Sequence, residues 1–208
     1  MTKDELKQKL QFLVVEQVQK NITVYVTTPT TGLQLFNIID ANLPDLQEMF
    51  VKSVKSAILD DDIYTLEDYS VSLKRVDAFY RYDLAEENRT EEMKRMVEVL
   101  DLEDHEKFDT NVASIESING LYAVIRGNRD QHMVIYKNIT SVDKTYAGSN
   151  MYIFGTSSNQ FTIQEKSMLR ITPALHMLSV GGEIILIDMK RLESKLHLDC
   201  ILKRESER

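Results

Sequence analysis

The chain has 208 residues, 43% of them hydrophobic and 28% charged, enough for one domain or two small ones around a sizeable core. That composition excludes disordered and fibrous classes, and no apolar run reaches the roughly 18 residues a membrane span needs. The formal charge is −8, which as a whole is a poor match for nucleic acid.

The first residues, MTKDELKQKLQFLVVEQ, are charged and amphipathic, with no signal-peptide core. A single cysteine, Cys200, permits no disulfide within the chain, so a cytoplasmic setting is expected. The sequon-like Asn21, Asn88 and Asn138 are then ordinary residues. A helix is predicted over 3–19, opened by a Thr2/Glu5 capping box and carrying Leu6, Leu10, Leu13, Val14 and Val18 on one face. ITVYVTT (22–28) reads as a strand. A second helix is predicted from about Pro44 to Leu59, stopped by Asp60-Asp61-Asp62.

Alternation over 69–84 predicts further strand, and a third helix follows over about 89–100, with Asn88 and Glu91 as its capping pair. The clearest hairpin joins GLYAVIRG (120–127) to QHMVIYKNI (131–139). Short strands are predicted at 151–155, 168–172 and 175–180. Gly181-Gly182-Glu183 turns the chain into IILIDMK (184–190), and RLESKLHLDCILKRE closes as one helix or two. This order predicts an α+β fold, a mostly antiparallel sheet with N-terminal helices, a central hairpin and a C-terminal helix. The organisation is read as an α+β part over 1–110 and a β-rich part over 111–208, or as one domain.

The acidity is concentrated. Residues 61–110 hold 16 acidic and 7 basic side chains, including the run LDLEDHEKFD at 100–109, whereas 111–208 hold 10 acidic and 12 basic. Two basic groups stand out in that second part. Arg126, Arg129 and Lys137 flank the hairpin, and Lys190, Arg191, Lys195, Lys203 and Arg204 decorate the closing helical segment. Arranged on one face, they would track a phosphate backbone or meet an acidic partner, and solvated surface is the competing reading.

Catalytic signals are sparse. There is no Gly-x-Gly-x-x-Gly and no phosphate loop. His105, His132, His176 and His197 lie far apart, without metal-ligand spacing. His176, between apolar neighbours, reads as a packed strand residue. Asp60–Asp62 would suit magnesium only if other carboxylates converged on them; an exposed turn at a helix end is the simpler reading. Cys200 reads as a small buried hydrophobe rather than a nucleophile. No enzyme and no cofactor are expected.

At 168–204, MLRITPALHMLSVGGEIILIDMKRLESKLHLDCILKR resembles a segment of the Kiwa KwaB-like family, the B component of a two-gene bacterial anti-phage system. Leu169, Ile171, Leu178, the Gly181-Gly182 turn, Ile184–Ile187 and Leu192-Glu193 fill the positions of its strand, turn, strand and helix pattern. GLYAVIRG with HMVIYKNI is similar to that family's central hairpin, and ITVYVTT to its first strand. The resemblance implies an N-terminal part or a shortened relative. It also implies a non-catalytic defence role: binding duplex DNA and a membrane-embedded partner protein, without inserting into the membrane. A homo-oligomer is expected, and a dimeric scaffold or regulatory module without nucleic acid is the alternative.

Overall fold

In the computed structural model Thr2 and Glu5 close the expected capping box, Glu5 N–H donating to Thr2 Oγ1 at 3.3 Å and Thr2 N–H to Glu5 Oε2 at 2.6 Å. The structure describes residues 1–70, 77–82, 89–101, 106–110, 114–128, 130–145, 152–155, 160–163 and 167–198. Helix α1 (Lys3–Leu10) is shorter than the predicted 3–19 and passes into a 3₁₀ turn at Gln11–Leu13. Val14, Val15 and Val18 are β-branched and resist helix, while Phe12 and Leu13 are buried from the turn instead.

Strand β1 (Asn21–Thr27) and the two-residue β2 (Gln34–Leu35) follow. Helix α2 (Leu43–Val54), with Pro44 in its first turn, runs into a π-helical turn at Lys55–Leu59, so the stretch predicted as one helix changes pitch near its end. Next come β3 (Thr65–Asp68), β4 (Ala78–Tyr82) and α3 (Glu91–Asp101). The rest of the predicted alternation, 71–76 and 83–84, and the predicted cap Asn88 lie outside the described residues; at this end of α3, Met93 N–H donates to Thr90 Oγ1 at 3.3 Å. The hairpin is β5 (Gly120–Arg126) and β6 (His132–Asn138). The chain continues through β7 (Lys144–Thr145), β8 (Tyr152–Gly155), β9 (Gln160–Ile163) and β10 (Met168–Leu169). It closes with β11 (Met177–Val180), β12 (Glu183–Leu186) and α4 (Met189–Leu196).

These elements make an α+β fold with a mostly antiparallel sheet. Eight strands pair in the order β2-β1-β5-β6-β11-β12-β4-β3, all antiparallel except β3 with β4. Strands from either side of residue 110 are neighbours in this sheet, as β1 with β5 and β12 with β4. Strands β7 with β10, and β8 with β9, form separate pairs. Between β11 and β12 the turn has only two residues, Gly181 and Gly182, both at positive φ (58° and 82°). Side chains are strained at both, and a Cβ on Gly181 would clash with Lys9 Nζ.

Helices cover both faces of the sheet. Leu6 and Leu10 of α1, Phe50 and Val54 of α2, and Ile58 of the π turn pack on one face. Met93, Met96 and Val99 of α3, with Leu192 and Leu196 of α4, pack on the other. Strands β5 and β6 are therefore buried along almost their whole length rather than alternating in and out.

The acidic stretch 100–109 is partly structural. Leu35 N–H donates to Glu106 C=O at 2.8 Å and Phe108 N–H to Leu35 C=O at 2.9 Å. The segment thereby extends the β2 edge and places the Phe108 ring 5.9 Å from that of Phe36.

Candidate functional site

Polar side chains gather at one end of the sheet, where β6 ends, β11 begins and β12 leads into α4. Along β6 the two-residue period puts Met133, Ile135 and Lys137 on the face covered by α1 and α2, with Lys137 opposite Leu121 of β5. Lys137, expected on a basic surface, is instead 1% exposed and unable to reach a phosphate backbone. Its ammonium lies 3.6 Å from Asp143 Oδ1 and donates to Thr172 Oγ1, and to Thr172 C=O at 3.5 Å. Burial lowers the Lys137 pKa against the opposing pull of Asp143.

Asp143 is 4% exposed. Burial alone would raise its carboxyl, but the N–H and hydroxyl of Thr140, each donating to Oδ2 at 3.0 Å, together with Lys137, hold it below the usual range. Its position was legible in part, because Thr140-x-x-Asp143 has the spacing of a capping box.

His176 stands beside this pair and is completely buried. Its Nδ1 accepts from Asn138 N–H at 2.9 Å, and its C=O accepts from Ile187 N–H at 2.9 Å and Asp188 N–H at 3.1 Å. The ring thus takes up a backbone donor of β6, and β11 starts only at the next residue. Because Nδ1 is the acceptor, the neutral ring carries its proton on Nε2, which has no hydrogen-bond partner among the described residues. Burial lowers its pKa to about 4.

Thr172 also forms part of an open groove of about 730 Å³ between α2 with its π turn and the segment 172–174. The groove's apolar lining is Met49, Ala57, Pro173 and Ala174. Its polar lining is Lys52, Ser53, Ser56 and Thr172. Ser53 Oγ donates to Pro173 C=O, joining the two walls.

The other expected basic residues do not converge. Arg126 is half-buried, and its Nη2 points to Val99 C=O in the last turn of α3 at 3.4 Å, a favourable place for a cation. Lys190 and Arg191 are exposed on α4, where Arg191 Nε lies 3.7 Å from Asp188, the residue that caps the helix. Arg129, Lys203 and Arg204 lie outside the described residues, as do His105 and Cys200.

Asp60–Asp62 form the turn that ends the π segment. Asp62 pairs with Lys7 at 2.7 Å, and Asp61 Oδ1 accepts from Ile63 N–H at 2.7 Å. Among the described residues no group of three His, Cys, Asp or Glu side chains is placed to hold a metal ion, and no helix is long and apolar enough to cross a membrane. Comparison of the chain with family models, curated proteins and solved structures finds no match.

Proposed function

We propose that the chain is a non-catalytic binding protein, a bacterial anti-phage defence component of the Kiwa type that works by engaging a protein partner. The resemblance at 168–204 supports the class, since strand, Gly181-Gly182 turn, strand and helix follow there in the family's order. What favours protein over nucleic acid is the use made of the hairpin cations. Lys137 is enclosed with Asp143, and Arg126 is turned toward the end of α3. Among the described members of the expected basic set Lys195 is half-buried on α4, which leaves Lys190 and Arg191 fully facing solvent, on a chain of charge −8. A duplex-DNA contact through α4 is the second reading, carried by those two residues.

Two measurements separate the readings. Immobilised chain is exposed to a Kiwa-type membrane partner in detergent micelles and read by biolayer interferometry; saturable binding that persists at 200 mM salt, within the range where phosphate contacts weaken by orders of magnitude, is expected. A mobility-shift titration of duplex DNA at about 50 and 200 mM salt then tests the second reading. A shift that collapses with salt and with Lys190→Glu/Arg191→Glu would make α4 the DNA contact. Absence of partner binding and of any low-salt shift sinks the defence-type assignment.

A further inference from the structure

We infer that the groove between the π-helical turn and residues 172–174 is a binding site for a small anionic amphiphile, a molecule with an apolar body and one carboxylate- or sulfonate-type end. Its volume of about 730 Å³ falls within the range of small-molecule sites, and its lining has their usual make-up, apolar surface with a few convergent polar groups. The polar half of that lining sets the ligand's charge. It holds one cation, Lys52, three hydroxyls and no carboxylate. Lys52 is 72% exposed and pairs with Glu48 at 2.7 Å, a surface pair that a bound anion can replace at little cost.

Two further observations set the groove apart from an ordinary surface crease. One wall includes the π turn, in which Asp60 N–H reaches back five residues to Lys55 C=O at 2.9 Å. Such turns are rare and concentrate at functional sites. The opposite wall is fixed from behind through Thr172 and Arg170 and across the groove through Pro173. Thr172 is held by the buried Lys137, Arg170 N–H donates to Asp143 C=O at 2.8 Å, and Pro173 is tied to Ser53. A buried ion pair is weak evidence for stability as such, and here its geometric product is a rigid wall. Space is left between the walls because residues 57 and 174 are alanines, which a larger side chain would fill.

The test uses the full chain with no partner and no DNA present, so its outcome is independent of the defence assignment. The probe is 8-anilinonaphthalene-1-sulfonate, followed by fluorescence and displaced with decanoate. One saturable site is expected, with decanoate competing for it. Ala174→Trp should weaken binding about tenfold or more by filling the groove, and Lys52→Glu severalfold by reversing the local charge. Thermal melts by circular dichroism establish that each variant is folded; should Ala174→Trp fail to fold, the exposed Lys52→Glu carries the test. Absence of saturable binding, or affinity unchanged in the folded variants, overturns the assignment.

Discussion

On the face of the sheet covered by α1 and α2, the row of paired residues through its centre is Val24, Ala123, Ile135, Leu178 and Ile185. One residue along each strand, on the face covered by α3 and α4, the row is Tyr25, Tyr122, Tyr136, Met177, Leu186 and Tyr80. Both rows are buried, yet they treat polar atoms differently. The aliphatic face admits one lysine at its end and surrounds it with a carboxylate and a threonine. The aromatic face encloses the hydroxyl of Tyr136 with no hydrogen-bond partner among the described residues, beside a Tyr122 hydroxyl that lies near Arg95 and Thr27. Burial depth therefore does not decide whether a polar group is matched; its cost does. An unpaired ammonium is too costly to bury, whereas a phenol brings enough ring surface to offset an unmatched hydroxyl.

The sharpest way to break this comparison is to remove one member of the matched pair. Lys137→Met should destabilise the fold by about 3 kcal/mol, because it leaves Asp143 buried without its cation. Asp143→Leu should cost a similar amount, about 3 kcal/mol, by stranding the ammonium. The double variant should recover a substantial part of either loss, since a buried pair replaced by apolar groups is close to neutral. Urea denaturation of the four proteins measures the coupling. Additive effects would mean that the two charges do not depend on each other, and the aliphatic face would then tolerate an orphan as the aromatic face does.

Much of this architecture was readable because its signals are local. The Thr2/Glu5 box, the hairpin and the Gly181-Gly182 turn depend on residues within a few positions of one another. Lys137 was misplaced for a non-local reason. In HMVIYKNI the two-residue period does set Lys137 beside Met133 and Ile135, but which face meets solvent depends on helices elsewhere in the chain, and here neither face does. The same limit applies to β2, which exists as two residues held by β1 and by the segment around Phe108. It applies also to the groove, whose walls are about 120 residues apart and meet through Ser53 and Pro173.

His176 offers a smaller perturbation that needs no mutation. Burial holds its pKa near 4, below the ordinary 6.5, with Asp188 and Asp143 pulling it up and Arg191 and Lys137 pushing it down. The unfolded chain takes up a proton below about pH 6.5 that the folded chain refuses until about pH 4. The associated stability is present above pH 6.5 and is lost as the pH falls toward 4, by at most about 3 kcal/mol. Asp143, whose pKa is lowered, acts in the same direction at lower pH. His176→Phe should be less stable at pH 7 by about 1–3 kcal/mol, because Asn138 N–H loses its acceptor, yet show a shallower slope between pH 6.5 and 4. Denaturation midpoints across that range read both effects, and an unchanged slope would mean that the carboxylates alone set it.

The smallest expected effect tests the aromatic face. Tyr136 is wholly buried, its ring 5.0 Å from that of Tyr122, and its phenol pKa is raised mainly by burial. Tyr136→Phe removes a hydroxyl that lost its water on folding and has no partner among the described residues, and it leaves the ring packing intact. Stability should stay constant or rise by up to about 1 kcal/mol, whereas Tyr136→Ala, which also removes the ring, should cost about 4 kcal/mol. The pair of variants separates the contribution of ring surface from that of the hydroxyl at one position. A loss of about 1 kcal/mol or more in Tyr136→Phe would mean that the hydroxyl is bonded in solution, by an enclosed water or by a shift of its neighbours. The two faces would then obey one rule of polar satisfaction, and the difference between them would lie only in whether a side chain or a water supplies the partner.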